Sequence, residues 1–176
     1  MAINRTETEL DGKTISIETG RVANQANGAV LLTCGDTVVL ATATMSSEPR
    51  ADIDFFPLTC DYEERKYAVG KIPGGFVKRG GRPSEKAVLT SRLIDRPMRP
   101  LFPEDYRAEV QVTATCLSTD QVNTPDILAI IATSAAINIS DIPFKKVVSA
   151  VRIGRVDGKF IVNPSFEQLK ASDLDI

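Results

Sequence analysis

Histidine is missing from the 176-residue sequence, and this removes more chemistry than any other feature, because histidine is the usual general base near neutral pH and a common zinc or iron ligand. Ser–His and Cys–His mechanisms are excluded. Cysteine is scarce: Cys34, Cys60 and Cys116 are odd in number, widely spaced and contain no C-x-x-C pair. That pattern argues against a disulfide framework or zinc ribbon and suits a reducing compartment. Long apolar runs are also lacking, and the longest, Ile127 to Ala132, is far too short to cross a bilayer. The first residues, Met1-Ala2-Ile3-Asn4-Arg5, hold no signal-peptide core, so the expected location is cytoplasmic.

With 43% apolar and 25% charged residues, the composition is that of an ordinary globular protein, long enough to bury a core as one domain or one domain plus a fragment. The charge is unevenly spread. Residues 65–107 hold eleven basic side chains against four acidic ones, a local +7 that leaves −9 for the remainder of a chain whose total is −2. Such a block suggests an anionic partner. A solvated charged face is the alternative reading of the same block.

Alternation over Lys13 to Glu18 predicts a strand. Ala29–Thr33 and Thr37–Ala43, separated by Cys34-Gly35-Asp36, predict a hairpin. Phe55 to Tyr62 supplies a further strand begun through Pro57. Residues 70–83 carry five glycines and two prolines among basic residues, the composition of a turn-rich loop. Pro83-Ser84-Glu85 then opens a helix, with Pro83 suited to the first helical position. The helix is expected to end near Asp95, because Pro97 steers Arg96 away from helical geometry and makes Arg96 to Pro103 an extended exit. Val110, Val112, Ala114 and Cys116 alternate with polar residues as a half-buried strand. Thr124-Pro125-Asp126 is an N-cap and first turn, and the apolar run Ile127 to Ile139 predicts an enclosed core helix. Val147–Arg155 and Lys159–Asn163 around Asp157-Gly158 predict a second hairpin, and Pro164–Ser172 a short helix. Hairpins followed by helices indicate an α+β fold with helices on one face of a mixed sheet. The chain stops at Asp173-Leu-Asp-Ile176 without a turn or cap, as a C-terminally truncated fragment would.

Within the basic block, Arg92 and Arg96 lie four residues apart, and Arg99 extends their face if the helix continues through Pro97. Lys78, Arg79 and Arg82 precede them. Guanidinium forks match phosphate oxygens, glycines permit close backbone approach, and Phe76 offers a ring on which an unpaired base stacks. Together Phe76, Lys78, Arg79, Arg82, Arg92, Arg96 and Arg99 form a candidate site for single-stranded nucleic acid. The competing structural reading pairs Arg92 or Arg96 with Asp95 or Glu85 and makes Phe76 a core plug.

The runs Asp54-Phe-Phe-Pro-Leu-Thr59, Tyr62-Glu-Glu-Arg-Lys-Tyr-Ala68, Gly70-Lys-Ile-Pro-Gly-Gly-Phe76, Gly81-Arg-Pro-Ser-Glu85 and Leu93-Ile-Asp-Arg-Pro-Met-Arg-Pro-Leu-Phe-Pro103 closely resemble the first ribonuclease PH-like domain of the polynucleotide phosphorylase family. The resemblance covers the chain from about Leu10 onward, including Val122-Asn-Thr-Pro-Asp126 and Ile142-Pro-Phe144. It implies a ribonuclease PH-like (ribosomal protein S5 domain 2-like) α+β fold. The implied organisation is an N-terminal extension (1–10), a first ribonuclease PH-like domain (11–144) and a truncated continuation of it (145–176).

The resemblance further implies an enzyme that degrades RNA from its 3′ end with inorganic phosphate and releases nucleoside diphosphates. Its chains form a homotrimeric ring around a channel. The family's constriction loop reads Phe-Phe-Arg-Arg, against Phe76-Val77-Lys78-Arg79 here, so one ring is lost and one arginine fork becomes a lysine point charge. The phosphate cradle and the carboxylates that hold Mg²⁺ or Mn²⁺ belong to the family's second core domain. Where ribonuclease PH carries Gly-Thr-Arg-Thr, this chain has Pro125 and Asp126, which remove an amide donor and add negative charge. Asp52, Asp54 and Asp61 lack a metal-ligand pattern. No catalytic residue and no metal ligand is expected in this chain. The expectation is an RNA-contacting, ring-forming core domain, inactive alone. The alternative is a stand-alone, non-catalytic RNA-binding or assembly module.

Overall fold

The computed structural model describes residues 2–49, 51, 53–75, 81–144 and 146–176. Six strands form one sheet: β1 (Asn4–Leu10), β2 (Lys13–Thr19), β3 (Gly28–Cys34), β4 (Thr37–Pro49), β5 (Leu58–Glu64) and β6 (Ala108–Ser118), in the order β1-β2-β3-β4-β6-β5. Neighbours are antiparallel except β5 and β6, which run parallel. A parallel pair needs a crossover, and helix α1 (Glu85–Met98) lies within it.

Strand alternation sets the core. Val30, Leu32, Val39, Ala41, Val110, Val112 and Ala114 are buried on one face, and the register places Val30 beside Ala41 and Ala41 beside Ala114. Helix α2 (Pro125–Asn138) covers that face, packing on β3, β4, β6 and α1. Both helices therefore sit on one side of a mixed sheet, as anticipated. Seating is tight: a Cβ on Gly28 would lie 2.0 Å from the Ala136 carbonyl oxygen, which only glycine avoids.

Strand β1 has no counterpart in the sequence reading. All but Leu10 of its residues are exposed, so it carries no apolar alternation and is held by ladder pairing to β2. Helix α1 also differs from expectation at both ends. Ser84, not Pro83, makes its start by accepting the Ala87 amide. At the other end α1 runs through Pro97 to Met98 and continues as a 3₁₀ turn, Arg99–Leu101. Burial outweighs the proline penalty: Met98 and Phe102 are both buried, and the Arg99 amide reaches the Asp95 carbonyl. Phe102 then joins Phe56, Tyr106 and Phe144 in an aromatic cluster with centroid spacings of 4.5 to 6.3 Å.

The second hairpin is shorter than predicted, β7 (Ile153–Val156) and β8 (Lys159–Val162), with Asp157 and Gly158 both at positive φ in its turn. Helix α3 (Phe166–Ala171) follows, closed by a Ser165/Gln168 capping box. The last residues return antiparallel to β7 through a Gly154–Asp175 bridge. No helix among the described residues is long and apolar enough to cross a membrane.

The loop before α2 is held by Asp120. One of its carboxylate oxygens accepts the Val122 and Asn123 amides at 2.8 Å and the Thr37 hydroxyl at 2.9 Å, and the other accepts Asn123 Nδ2 at 2.7 Å. Burial alone would raise the Asp120 pKa, but these donors outweigh it and hold the pKa at about 2, below the ordinary 3.8. A depressed folded-state pKa adds stability that is complete above the unfolded value and lost as pH falls through the folded one. Unfolding titrations are therefore expected to show stability falling between about pH 4 and pH 2, by about 1 kcal/mol after allowance for solvent screening. In Asp120→Asn that contribution should be gone, and an unchanged acid limb would contradict the assignment.

Candidate nucleic-acid interface

Basic residues reach the surface around α1 because its buried stripe, Ala87, Thr90, Ile94 and Met98, follows the helical repeat and turns the intervening positions outward. Arg92 and Arg96 stand on the outer face beside exposed Val88, Leu89 and Leu93. Arg82 is exposed just before the helix. Among the described residues none of these three arginines makes an ion pair or side-chain hydrogen bond. Phe76, Lys78 and Arg79, and the candidate ligand Asp52, lie outside the described residues.

Arg99 is placed differently. Its Nε and Nη2 form a fork on Asp95, at 3.1 and 2.7 Å, while Nη1 and Nη2 donate to the carbonyls of Phe56 and Leu58. Asp95 is thus drawn away from Arg92 and Arg96, and the pairing weighed for those two in the sequence does not form. The i,i+4 spacing of Asp95 and Arg99 could have revealed the pair, but Pro97 hid it by suggesting that the helix had ended.

Beside the N-terminus of α1 lies a cleft of about 1250 Å³, lined in part by Lys66, Tyr67, Lys71, Arg82, Lys86 and Phe166. Lys86 pairs with Glu64 at 3.2 Å and sits 5.6 Å from the Phe166 ring centroid, while Arg65 is held by Glu63 at 2.6 Å. Lys86 of α1 thus stands between Glu64 of β5 and Phe166 of α3, elements far apart in sequence. No local signal could have joined them.

Nucleophilic groups near the cleft are not activated. Burial, with Glu64 nearby, raises the Tyr62 hydroxyl well above its usual range. Burial also raises the Cys116 thiol to about 11. Cys60 is pushed up to about 12 by burial and then by Asp95. Thiols so raised are neutral at pH 7 and poor nucleophiles.

At the start of α2, Pro125 offers no amide, and the Ile127 amide bonds Asp126 Oδ1 at 2.9 Å. Thr124 occupies the N-cap without a side-chain capping bond. Asp126 Oδ2 lies 3.8 Å from Arg152 Nη1, and Arg152 makes a bidentate pair with Asp175 at 2.6 Å. The helix terminus is therefore closed by the chain's own carboxylate. Asp61 accepts from Gln111 at 3.2 Å and Asp54 is exposed. Among the described residues no three His, Cys, Asp or Glu side chains converge as a metal site requires.

Two family profiles match the chain. One described as "3′ exoribonuclease family, domain 1" covers residues 11–143, and one described as "3′ exoribonuclease family, domain 2" covers residues 146–176. A protein of Finegoldia magna named polyribonucleotide nucleotidyltransferase is 61% identical over 174 residues, 99% of this chain and 24% of that protein. The protein of the same name from Desulforamulus reducens is 62% identical over 170 residues, 97% of this chain and 23% of its own length. This chain thus spans about a quarter of the curated relatives it matches. Among solved structures, the Archaeoglobus fulgidus exosome with RNA bound to the active site is similar at a TM-score of 0.63 and 20% identity, covering 98% of this chain and 69% of that one. Rice Rrp46 gives 0.66 and 15%, covering 97% and 72%. At those identities the structures establish the fold alone.

Proposed function

The chain belongs to the 3′ exoribonuclease family, and we propose that it works as the RNA-contacting, ring-forming first core domain of a phosphate-dependent 3′-to-5′ exoribonuclease. The whole protein, a polyribonucleotide nucleotidyltransferase by this reading, takes single-stranded RNA and inorganic phosphate and releases nucleoside diphosphates. It acts in the cytoplasm as a homotrimeric ring in mRNA degradation. The observation that carries the RNA-contacting role is the outer face of α1, where Arg92 and Arg96 stand exposed and unpaired among the described residues while the neighbouring acid, Asp95, is turned to Arg99. Guanidinium groups left without protein partners are free to take phosphate oxygens bidentately. Arg82 adds to this surface, and Phe76, Lys78 and Arg79, which precede it in the sequence, are proposed contacts.

Mg²⁺ or Mn²⁺ is proposed for the whole enzyme, but the described residues of this chain do not fit such an ion, since no carboxylate cluster forms. The ion and the phosphate cradle are assigned to parts of the protein beyond these residues.

Phosphate contacts release counterions, so each one lost should lower the slope of log affinity against log salt by about 0.7 for single-stranded RNA. Charge reversal at Lys78, Arg79 and Arg92 in the full-length protein is expected to weaken RNA binding and flatten that slope. Unchanged affinity and slope would remove the RNA-contacting role from this block.

A further inference from the structure

We propose that Arg99 is a positioning residue and not an RNA contact: through Asp95 and the carbonyls of Phe56 and Leu58 it fixes the end of α1, and so the direction in which Arg92 and Arg96 point. The inference rests on the RNA-contacting reading of α1. Its basis is a donor count. A guanidinium has five N–H groups, and hydrogen bonds from Nε, Nη1 and twice from Nη2 engage four of them within the protein. Little of the fork is left for a phosphate, although its side chain retains 42% of its exposure.

What Arg99 joins explains why the fork is needed there. Pro97 supplies no amide to the helix ladder, so the last turn of α1 is one backbone bond short. The Arg99 side chain spans that weak point, reaching back one turn to Asp95 and sideways to the two carbonyls that flank Pro57, where the chain joins β5. Because Phe56 O and Leu58 O belong to a segment fixed by β5 and by the aromatic cluster, the fork ties the end of the helix, one ladder bond short, to a neighbouring element. Arg96 immediately precedes Pro97, and Arg92 is one turn earlier. Release of the tie lets that turn fray, and two arginines held ready for phosphate must then be ordered when RNA binds.

Asp95 and Arg99 give the test two independent handles. Anisotropy of a labelled single-stranded RNA would be followed across a KCl series with the full-length protein, phosphate omitted, alongside thermal melts. Arg99→Met and Asp95→Asn are each expected to weaken binding by roughly tenfold while leaving the salt slope as in the parent. Arg92→Met and Arg96→Met should each lower the slope by about 0.7.

A reduced slope in Arg99→Met, or tighter or unaltered binding in Asp95→Asn, would make Arg99 a direct contact and overturn the proposal. So would a lowered melting temperature with unaltered affinity of the folded protein, since that describes a brace with no effect on the interface. Should Arg99→Met not fold, Asp95→Asn alone decides, because it keeps the side-chain shape while removing the charge and one of the two acceptors of the fork. If Arg92→Met and Arg96→Met change neither affinity nor slope, the RNA-contacting reading itself fails and the positioning role falls with it.

Discussion

Ala132→Asp is expected to leave the chain unfolded. Ala132 is fully buried on α2, and that helix is enclosed by three strands and α1. No face is available to turn outward, because Leu128, Ala129, Ile130, Ala136 and Ile137 are buried on the turns around it. A lone buried carboxylate costs several kcal/mol even after the structure relaxes, against a total stability of about 5–15 kcal/mol for a domain. Neutralising it by protonation would still leave an acid without partners, in surroundings where Thr133 Oγ1 already has none. The added volume is a second cost, in a layer so tight that Gly28 tolerates no Cβ. The change should be visible as loss of the cooperative transition in urea and of native ellipticity. Ala132→Gly, which costs about 1 kcal/mol through helix propensity, should remain folded as a control. A folded Ala132→Asp that had lost only a partner would mean that α2 is an exposed binding stripe and not the core.

That enclosure was legible in the sequence because ten of the fourteen α2 residues are buried and the run of apolar side chains shows it directly. Strands β3, β4 and β6 were legible for a related reason: burial of alternate residues leaves its period in the composition. Strand β1 and the end of α1 were not. The first is stabilised by a neighbour's backbone, which residue types do not record, and the second by the burial of Met98 and Phe102 against a rule that proline normally enforces locally. The same holds for the candidate interface. Arg92 and Arg96 were correctly placed four residues apart on one helix, yet whether an arginine is offered to solvent or spent on a carbonyl depends on what lies opposite it. Arg99 and Lys86 both meet partners on β5, a strand that ends well before α1 begins in the sequence. Tertiary contacts of that kind carry no pattern that a single sequence exposes.

Isolated as 176 residues, the chain is expected neither to phosphorolyse RNA nor to polymerise nucleoside diphosphates. Binding RNA positions a substrate, whereas turnover requires interactions that strengthen in the transition state, and the groups able to supply them are committed elsewhere. Histidine is absent. The thiols of Cys60 and Cys116 and the Tyr62 hydroxyl are held protonated. The start of α2, the position where an oriented set of amides would receive phosphate, has Pro125 in place of one donor and its Ile127 amide bonded to Asp126. Arg152, the nearest arginine to that carboxylate, is paired bidentately with Asp175. Inorganic phosphate would therefore meet a carboxylate already seated on the helix terminus and would have to displace it from both the amide and the arginine. Opening that site by substitution frees one amide, leaves Arg152 paired with Asp175 and adds no group to stabilise the leaving oxygen. Release of labelled nucleoside diphosphate from a 3′-labelled single-stranded RNA, with phosphate and Mg²⁺ or Mn²⁺ supplied, is the direct assay, and the rate should not exceed that of a mock purification. Phosphate-dependent turnover that disappears in Asp126→Asn or Arg92→Met would place an active centre within these residues. The closed terminus of α2 would then have to open in solution, because the pairing of Asp126 with the Ile127 amide and its contact with Arg152 cannot coexist with phosphate bound there.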